Sequence, residues 1–191
     1  MIPTRARAPR RNYDKGVRAA AIAAVCGGVL TAIACGNIPD NTRYTIVLAP
    51  DPAQFQAGVS LFFERRCGTL DCHGQVGRPM RIYGARGLRL GNEAGLRPTT
   101  GDTSIEEVAS NYRSIVALQP EETSRAVAAS GQDFALRKLL IVMKPLGLDN
   151  GGFVHKGGSV ISGGDDGYRC IATWIQGATD QMACKTAANA F

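Results

Sequence analysis

Apolar residues recur at helical spacing in four stretches of the chain, and each stretch carries its own start and stop signals. The first follows Asp51-Pro52, a cap residue with proline at the first helical position, and places Phe55, Val59, Phe62 and Phe63 on one side as far as about Arg66. The second follows Thr103-Ser104-Ile105-Glu106-Glu107, a capping box, with Ile105, Val108, Tyr112, Ile115 and Val116 on one face. After a break at Gln119-Pro120 the pattern predicts a short helix over about 121–129. Asp133 is then expected to cap a helix that buries Phe134, Leu136, Leu139, Leu140 and Met143 and ends at Pro145. The last helix follows Asp165-Asp166, lines up Tyr168, Ile171, Trp174 and Ile175, and stops at Gly177.

The intervening segments lack period. Residues 74–101 are rich in Gly and Arg and predict a loop layer with at most one helical turn. Residues 147–167 hold eight glycines but no Gly-Lys-Ser/Thr triplet, which excludes a phosphate-binding loop. Arg43–Leu48 predicts a short strand whose apolar residues touch the domain. No internal repeat is visible. The expected class is mostly α with long Gly-rich loops.

Composition changes this picture in one respect. The 191 residues suit one domain of ordinary size, and 45% hydrophobic content excludes a disordered chain. The net charge of +6 suggests nucleic acid or a membrane surface, but six basic residues and one acid fall within residues 1–34. The remaining 16 basic and 15 acidic side chains nearly cancel, so no nucleic-acid partner is expected.

Residues 1–34 read as an address. A basic head (Arg5 to Arg18) precedes an apolar run, Ala19 to Cys35, shorter than the ~20 residues a membrane span needs, and small residues close it: an export signal. Thr31-Ala32-Ile33-Ala34-Cys35-Gly36 resembles a bacterial lipoprotein cleavage box, departing at Ala32 where that family has Leu or Val. The resemblance implies cleavage before Cys35 and a lipid on its sulfur, with Cys26 lost in the signal. Cleavage without lipid is the plainer alternative, and Arg10-Arg11 leaves a twin-arginine route open. Gly36 after the lipid residue leans toward the outer membrane. The expected organisation is a lipoprotein-type signal over 1–34, a lipid-anchored tether over 35–52, a domain over 53–185 and a tail over 186–191, in a periplasmic or cell-surface setting where disulfides persist.

Phe62 to Gly74 reads FFERRCGTLDCHG, a helix end followed by Cys67, four residues, Cys72 and His73. A haem attachment site is Cys-x-x-Cys-His: two sulfurs bind the porphyrin and the adjacent imidazole is placed beneath the iron. Here the spacer is four residues, Gly68 is expected to supply the backbone freedom for a bulge, and the Cys-His adjacency is intact. The chain thus resembles the bacterial c-type cytochromes, in which a spacer of four is a minority variant. It is most similar to exported single-haem modules of the planctomycete and myxobacterial type. Lys144-Pro145, His155-Lys156-Gly157-Gly158 and Tyr168-Arg169-Cys170-Ile171-Ala172-Thr173-Trp174-Ile175 follow their Lys-Pro turn, His-x-Gly-Gly loop and terminal helix in order. The resemblance covers about residues 53–178 and implies a cytochrome c-like helical domain with an enlarged middle insertion over 79–130.

It further implies one covalent haem c on Cys67, Cys72 and His73. A small disulfide between Cys67 and Cys72, or a zinc site of Cys67, Cys72, His73 and His155, are the alternatives. Cys170 and Cys184, with thirteen residues between them, are left to pair as a disulfide. The second iron ligand is expected to be His155, in the loop before the last helix, with Met143 as alternative and Met80 as a weaker candidate. Arg78, Arg81, Arg86 and Arg89 are candidates to meet the haem propionates, and Tyr83, Tyr112 and Trp174 to wall the ring.

No Ser/His/Asp set exists, because both histidines are claimed as ligands; the chain is not expected to be an enzyme. The first reading is a lipid-anchored cytochrome passing single electrons between redox partner proteins of the envelope. The second is a haem-free, disulfide-stabilised surface lipoprotein that binds another protein, and a weaker third is a sensor or peroxidase-like domain with five-coordinate iron.

Overall fold

The computed structural model describes residues 46–91 and 101–190, and the fold among them is mostly α, with seven helices and no strand. The expected signal, the Cys35 lipid site and most of the tether lie outside the described residues. No helix among the described residues is long and apolar enough to cross a membrane.

Helix α1 is built from an α-helical turn Pro52–Gln54, a π-helical turn Phe55–Val59 and an α-helical segment Ser60–Arg66. Asp51 caps it, its carboxylate accepting from Ala53 N at 2.7 Å. Phe55, Val59, Phe62 and Phe63 are all buried. Helix α2, Ile105–Val116, starts at the full capping box of Ser104 and Glu107. Helix α3, Pro120–Ala128, has proline in its first turn. Two short helices follow, α4 (Asp133–Leu136) and α5 (Leu140–Met143), then a 3-10 turn Leu148–Asn150. Helix α6, Asp166–Ile175, is capped by Asp165, whose side chain accepts from Tyr168 N. Gly177 takes φ +81° just beyond it, a conformation that costs glycine nothing.

The core gathers on the inner side of α1. Trp174 lies 5.2 Å from Phe55 and 6.5 Å from Phe63 between ring centroids, and Tyr112 meets both Phe55 and Trp174 edge-on. The polar ends of these rings are satisfied: Trp174 Nε1 donates to Asp51 O at 3.0 Å and the Tyr112 hydroxyl to Pro50 O at 2.7 Å.

Four expectations are corrected. The strand is absent over 46–48, where Ile46, Val47 and Leu48 are exposed and Leu48 N donates to Ser124 Oγ; residues 43–45 lie outside the described part. The helix expected from Asp133 breaks at Arg137–Leu139, and Asp133 is its first residue rather than its cap: its carboxylate accepts from Arg137 and Tyr168 instead. Phe134 and Ile105 face solvent at 63% and 60% exposure, each in the first turn of a helix where the apolar stripe has not yet met the core. Finally, the tail holds a seventh helix, α7, Gln181–Asn189.

Helix α7 is bonded in at both ends. Asp180 caps it through Ala183 N, Gln54 of α1 bonds Thr179 N and Gly177 O, and Arg65 and Arg66 reach Asn189 and Ala190 O. The disulfide Cys170–Cys184 joins it to α6, with both cysteines fully buried. Ala187 and Ala188 are buried as well, so residues 186–189 belong to the folded domain.

Candidate functional site

Helix α1 delivers the cysteine-histidine motif at its C-terminal end. Cys67 is the C-cap residue, its N–H donating to Phe63 O at 2.9 Å. The four-residue spacer closes as a compact loop: His73 N donates to Cys67 O at 2.9 Å, Cys72 N to Thr69 O at 3.0 Å and Gly74 N to Thr69 O at 2.9 Å. Leu70 stands out at its tip, exposed. Outside the loop, Arg78 Nε donates to Cys72 O at 3.0 Å and Nη2 to Asp71 O at 3.4 Å. Arg78 is therefore a brace of the loop.

The glycines here serve contact. A Cβ on Gly68 would come within 2.7 Å of Glu64 O and 2.8 Å of Ile82 Cγ2, and one on Gly74 or on Gly87 would collide with Gly68 O. Gly68 is not among the positive-φ residues, so close approach, rather than the freedom expected of a bulge, explains its smallness.

Cys67 and Cys72 are separate thiols, so the second disulfide required by the haem-free alternative is not formed. Burial, followed by the neighbouring Cys72, pushes the Cys67 thiol up to about 12 against the opposing pull of Arg66. In the folded chain this thiol is neutral at pH 7.

His73 has its Nδ1 2.8 Å from Met80 O, and its own carbonyl accepts from Ile82 N at 2.9 Å. Burial is the main influence pulling its pKa below the usual 6.5; the Met80 bond opposes it, and the nearby His155 and Arg78 add to the lowering. The neutral ring, the form that binds metals, is thereby favoured.

His155 comes from the loop before α6, and the Lys144-Pro145 turn holds that loop. Phe153 N donates to Met143 O at 2.7 Å, Lys144 Nζ to Val154 O at 3.1 Å, and Val160 N to Pro145 O at 2.8 Å. His155 Nδ1 lies 3.1 Å from Gly158 O.

The two imidazoles, 82 residues apart in sequence, meet. Their ring centroids are 6.1 Å apart and their planes differ by 18°. With a metal–imidazole bond of about 2.0–2.1 Å and a ring radius of about 1.1 Å, two imidazoles on opposite sides of one ion stand about 6.3 Å apart. Each Nδ1 is engaged with a backbone carbonyl, the outer bond that orients metal-binding histidines, and each Nε2 has no hydrogen-bond partner among the described residues. At this separation the two imidazoles are near enough to share one metal ion.

Met143 and Met80 both lie in the buried core, where the carbonyls of each, Met80 on His73 and Met143 on Phe153, position the histidines. No group of three or more His, Cys, Asp or Glu able to hold a metal exists among the described residues, so the four-ligand zinc alternative is not assembled. Tyr112 and Trp174 are spent in the aromatic core. Arg89 pairs with Glu107. A cavity of about 330 Å³ lined by Gln56, Ser60, Glu64, Arg86 and Thr103 contains neither histidine nor either thiol.

Sequence reasoning missed the supports: Met80 O as partner of His73, and Asn111 and Ser114 on α2. The available signal was Asn111 itself, a polar residue beside Ile115 on the inner side of α2, fully buried in the fold. No known protein family, curated protein or solved structure matches the chain.

Proposed function

We propose that the chain is an exported single-haem c-type cytochrome, holding haem c covalently and passing single electrons between redox partners in the cell envelope. The observation that carries this reading is the facing of His73 and His155 at 6.1 Å beside the two thiols of Cys67 and Cys72. The assigned roles are Cys67 and Cys72 as thioether anchors, His73 as the proximal ligand and His155 as the distal one. Leu70 and Val76, flanking His73, and Phe153 and Val154, preceding His155, are exposed apolar side chains of the kind a flat apolar ligand covers.

Bound haem supplies a reversible one-electron couple at its iron. The chain's contribution is position and polarity. Ligation by both imidazoles would leave no open place for substrate, which favours electron transfer over catalysis, and would hold the potential lower than a His/Met pair does. Met80 O and Gly158 O keep each Nδ1 occupied and so leave the Nε2 atoms as the nitrogens that would bind a metal. The shielding of Cys67 favours attachment before the final fold closes over it. Cys35 would tether the module to a membrane through lipid, with the outer membrane favoured by Gly36.

The test is direct. The full chain is expressed with a haem-maturation system and its spectrum recorded. A haem band that survives acid–organic extraction, and that Cys72→Ala weakens, is the expected result. Colourless, iron-free protein overturns the reading.

A further inference from the structure

Residues 80–83 run between the motif loop and α2, and their backbone groups bond the two in alternation. Met80 O meets His73 Nδ1 at 2.8 Å, and Ile82 N donates to His73 O at 2.9 Å. Arg81 N donates to Ser114 Oγ at 2.7 Å. Tyr83 gives both its backbone groups to Asn111, its N donating to Oδ1 at 2.7 Å and its O accepting from Nδ2 at 2.8 Å. Even-numbered positions thus serve the histidine and odd-numbered ones the helix, the two-edged pattern of an extended chain. Met80 and Ile82 are also buried, whereas Arg81 and Tyr83 bond each other through Nη1 and the hydroxyl at 3.3 Å, so α2 holds this segment by its backbone.

Asn111 grips at two atoms. Its amide is fully buried and presents a donor and an acceptor together, as a neighbouring backbone would. Any slip of Tyr83 leaves polar groups unpaired away from water, so a satisfied amide of this kind fixes its partner closely. Ser114, one turn further along the same face of α2, adds a second point of attachment. Two points set direction as well as place.

That direction decides which nitrogen of His73 is bare. A carbonyl oxygen only accepts, so the hydrogen of the 2.8 Å contact sits on Nδ1, and the neutral ring keeps its lone pair on Nε2. His155 reaches the same state by a local route, with its Nδ1 on Gly158 O three residues away in its own loop. For His73 the carbonyl is held by a helix whose gripping residues stand 28 and 33 positions beyond the ones they hold.

We infer that Asn111 and Ser114 are positioning residues for His73: by fixing residues 81–83 they keep Met80 O on Nδ1 and leave Nε2 bare. The use of that nitrogen as an iron ligand rests on the haem reading above, which is deepened here because α2 becomes part of what sets the proximal ligand. The lock on Nδ1 itself belongs to the chain with or without haem. The lock on His155 does not pass through α2.

The test is solvent exchange of the two Nδ1 protons, read by NMR of the full chain labelled with nitrogen-15 at histidine. It is recorded without haem and in the reduced haem-loaded state. The sequence has two histidines, so His155→Ala assigns both signals and His155 serves as the internal reference. Asn111→Ala is expected to speed exchange at His73 by up to about tenfold, the effect of losing hydrogen bonds of ordinary net strength, and to leave His155 unchanged. Ser114→Ala acts in the same direction by less, and Ser114→Thr, which keeps the hydroxyl, returns the wild-type rate. The serine pair carries the test if the asparagine variant does not fold. Glu107→Gln, which loosens the start of α2 without touching 80–83, should leave both rates as they are. Folded Ser114→Ala and Asn111→Ala chains with wild-type exchange at His73 overturn the inference, and so does equal acceleration at both histidines, which is general loosening. A chain that takes up no haem yet shows the selective His73 response removes the haem reading and leaves the lock standing.

Discussion

Glu107 and Arg89 form the one ion pair among the described residues that is withdrawn from water. The Glu107 side chain is 1% exposed and that of Arg89 10%, whereas both partners of every other pair remain substantially wet. Arg89 Nε meets Oε1 at 2.9 Å and Nη2 meets Oε2 at 3.1 Å. The same carboxylate accepts from Leu90 N at 2.8 Å and Ser104 N at 2.9 Å, and the guanidinium continues to Gly101 O and Asp102 O. One carboxylate therefore ties the chain before the segment 92–100 to the chain after it, and both to the start of α2.

Removing one partner of such a pair leaves the other buried and uncompensated. Glu107→Ala is expected to cost about 3–5 kcal/mol, as for other broken buried pairs. Glu107→Gln keeps two acceptor sites and should cost less. Urea unfolding checks this. A loss below about 1 kcal/mol in the alanine variant would place the pair with ordinary surface bridges.

The same group makes stability depend on acid. Burial alone would raise the Glu107 pKa above its ordinary 4.5, but the Arg89 bond, the Ser104 and Leu90 N–H groups and the Arg89 charge together bring it below that value. A carboxyl depressed in the folded state contributes stability that is complete above the unfolded pKa and is lost as pH falls through the folded one. The urea midpoint should hold steady above about pH 5 and fall below pH 4.5. That fall should be shallower in Glu107→Gln, and parallel profiles for the two proteins would refute the assignment.

The helices legible in the sequence were those with an apolar stripe and a strong cap: α1 from Asp51-Pro52, α2 from its capping box and α6 from Asp165. That Cys67, Cys72 and His73 share one compact loop was legible too, because four residues and then direct adjacency keep them close in the chain. Helix α7 escaped because its inward positions, Ala183, Cys184, Ala187 and Ala188, are small and carry little hydrophobic signal, although they recur at helical spacing after a capping Asp180. Met80 O, Ser114 and Asn111 escaped for another reason. Backbone carbonyls have no sequence signature, and a polar residue inside an amphipathic helix looks like an ordinary exception until its partners 28 and 33 positions away are known.

The Cys170–Cys184 bond holds α7 against α6, and a loop of this length is worth about 3 kcal/mol in the chain-entropy account. The double variant Cys170→Ala/Cys184→Ala should lose that amount in urea unfolding, and reductant should destabilise the wild type but not the variant. Since Gln54, Arg65 and Arg66 also grip α7, the variant should keep its helical circular dichroism. Equal stability with and without reductant would mean that the side-chain bonds alone secure this helix.

On the proposed haem reading, the choice between His155 and Met143 as the second iron ligand can be read from spin state. His155 has a partly buried loop position, a free Nε2 and a ring 6.1 Å from that of His73, while Met143 is packed in the core at 5% exposure. In haem-loaded protein, His155→Ala should convert a low-spin spectrum to a high-spin one with little change in urea stability, since the side chain contributes no core packing. Met143→Ala should do the opposite, keeping the low-spin spectrum and costing about 2–5 kcal/mol as other buried Met→Ala changes do. His73→Ala should remove the proximal bond while both thioethers stay formed, separating attachment from ligation. A high-spin spectrum in Met143→Ala beside an unchanged one in His155→Ala would hand the distal position to the thioether, and with it a higher reduction potential.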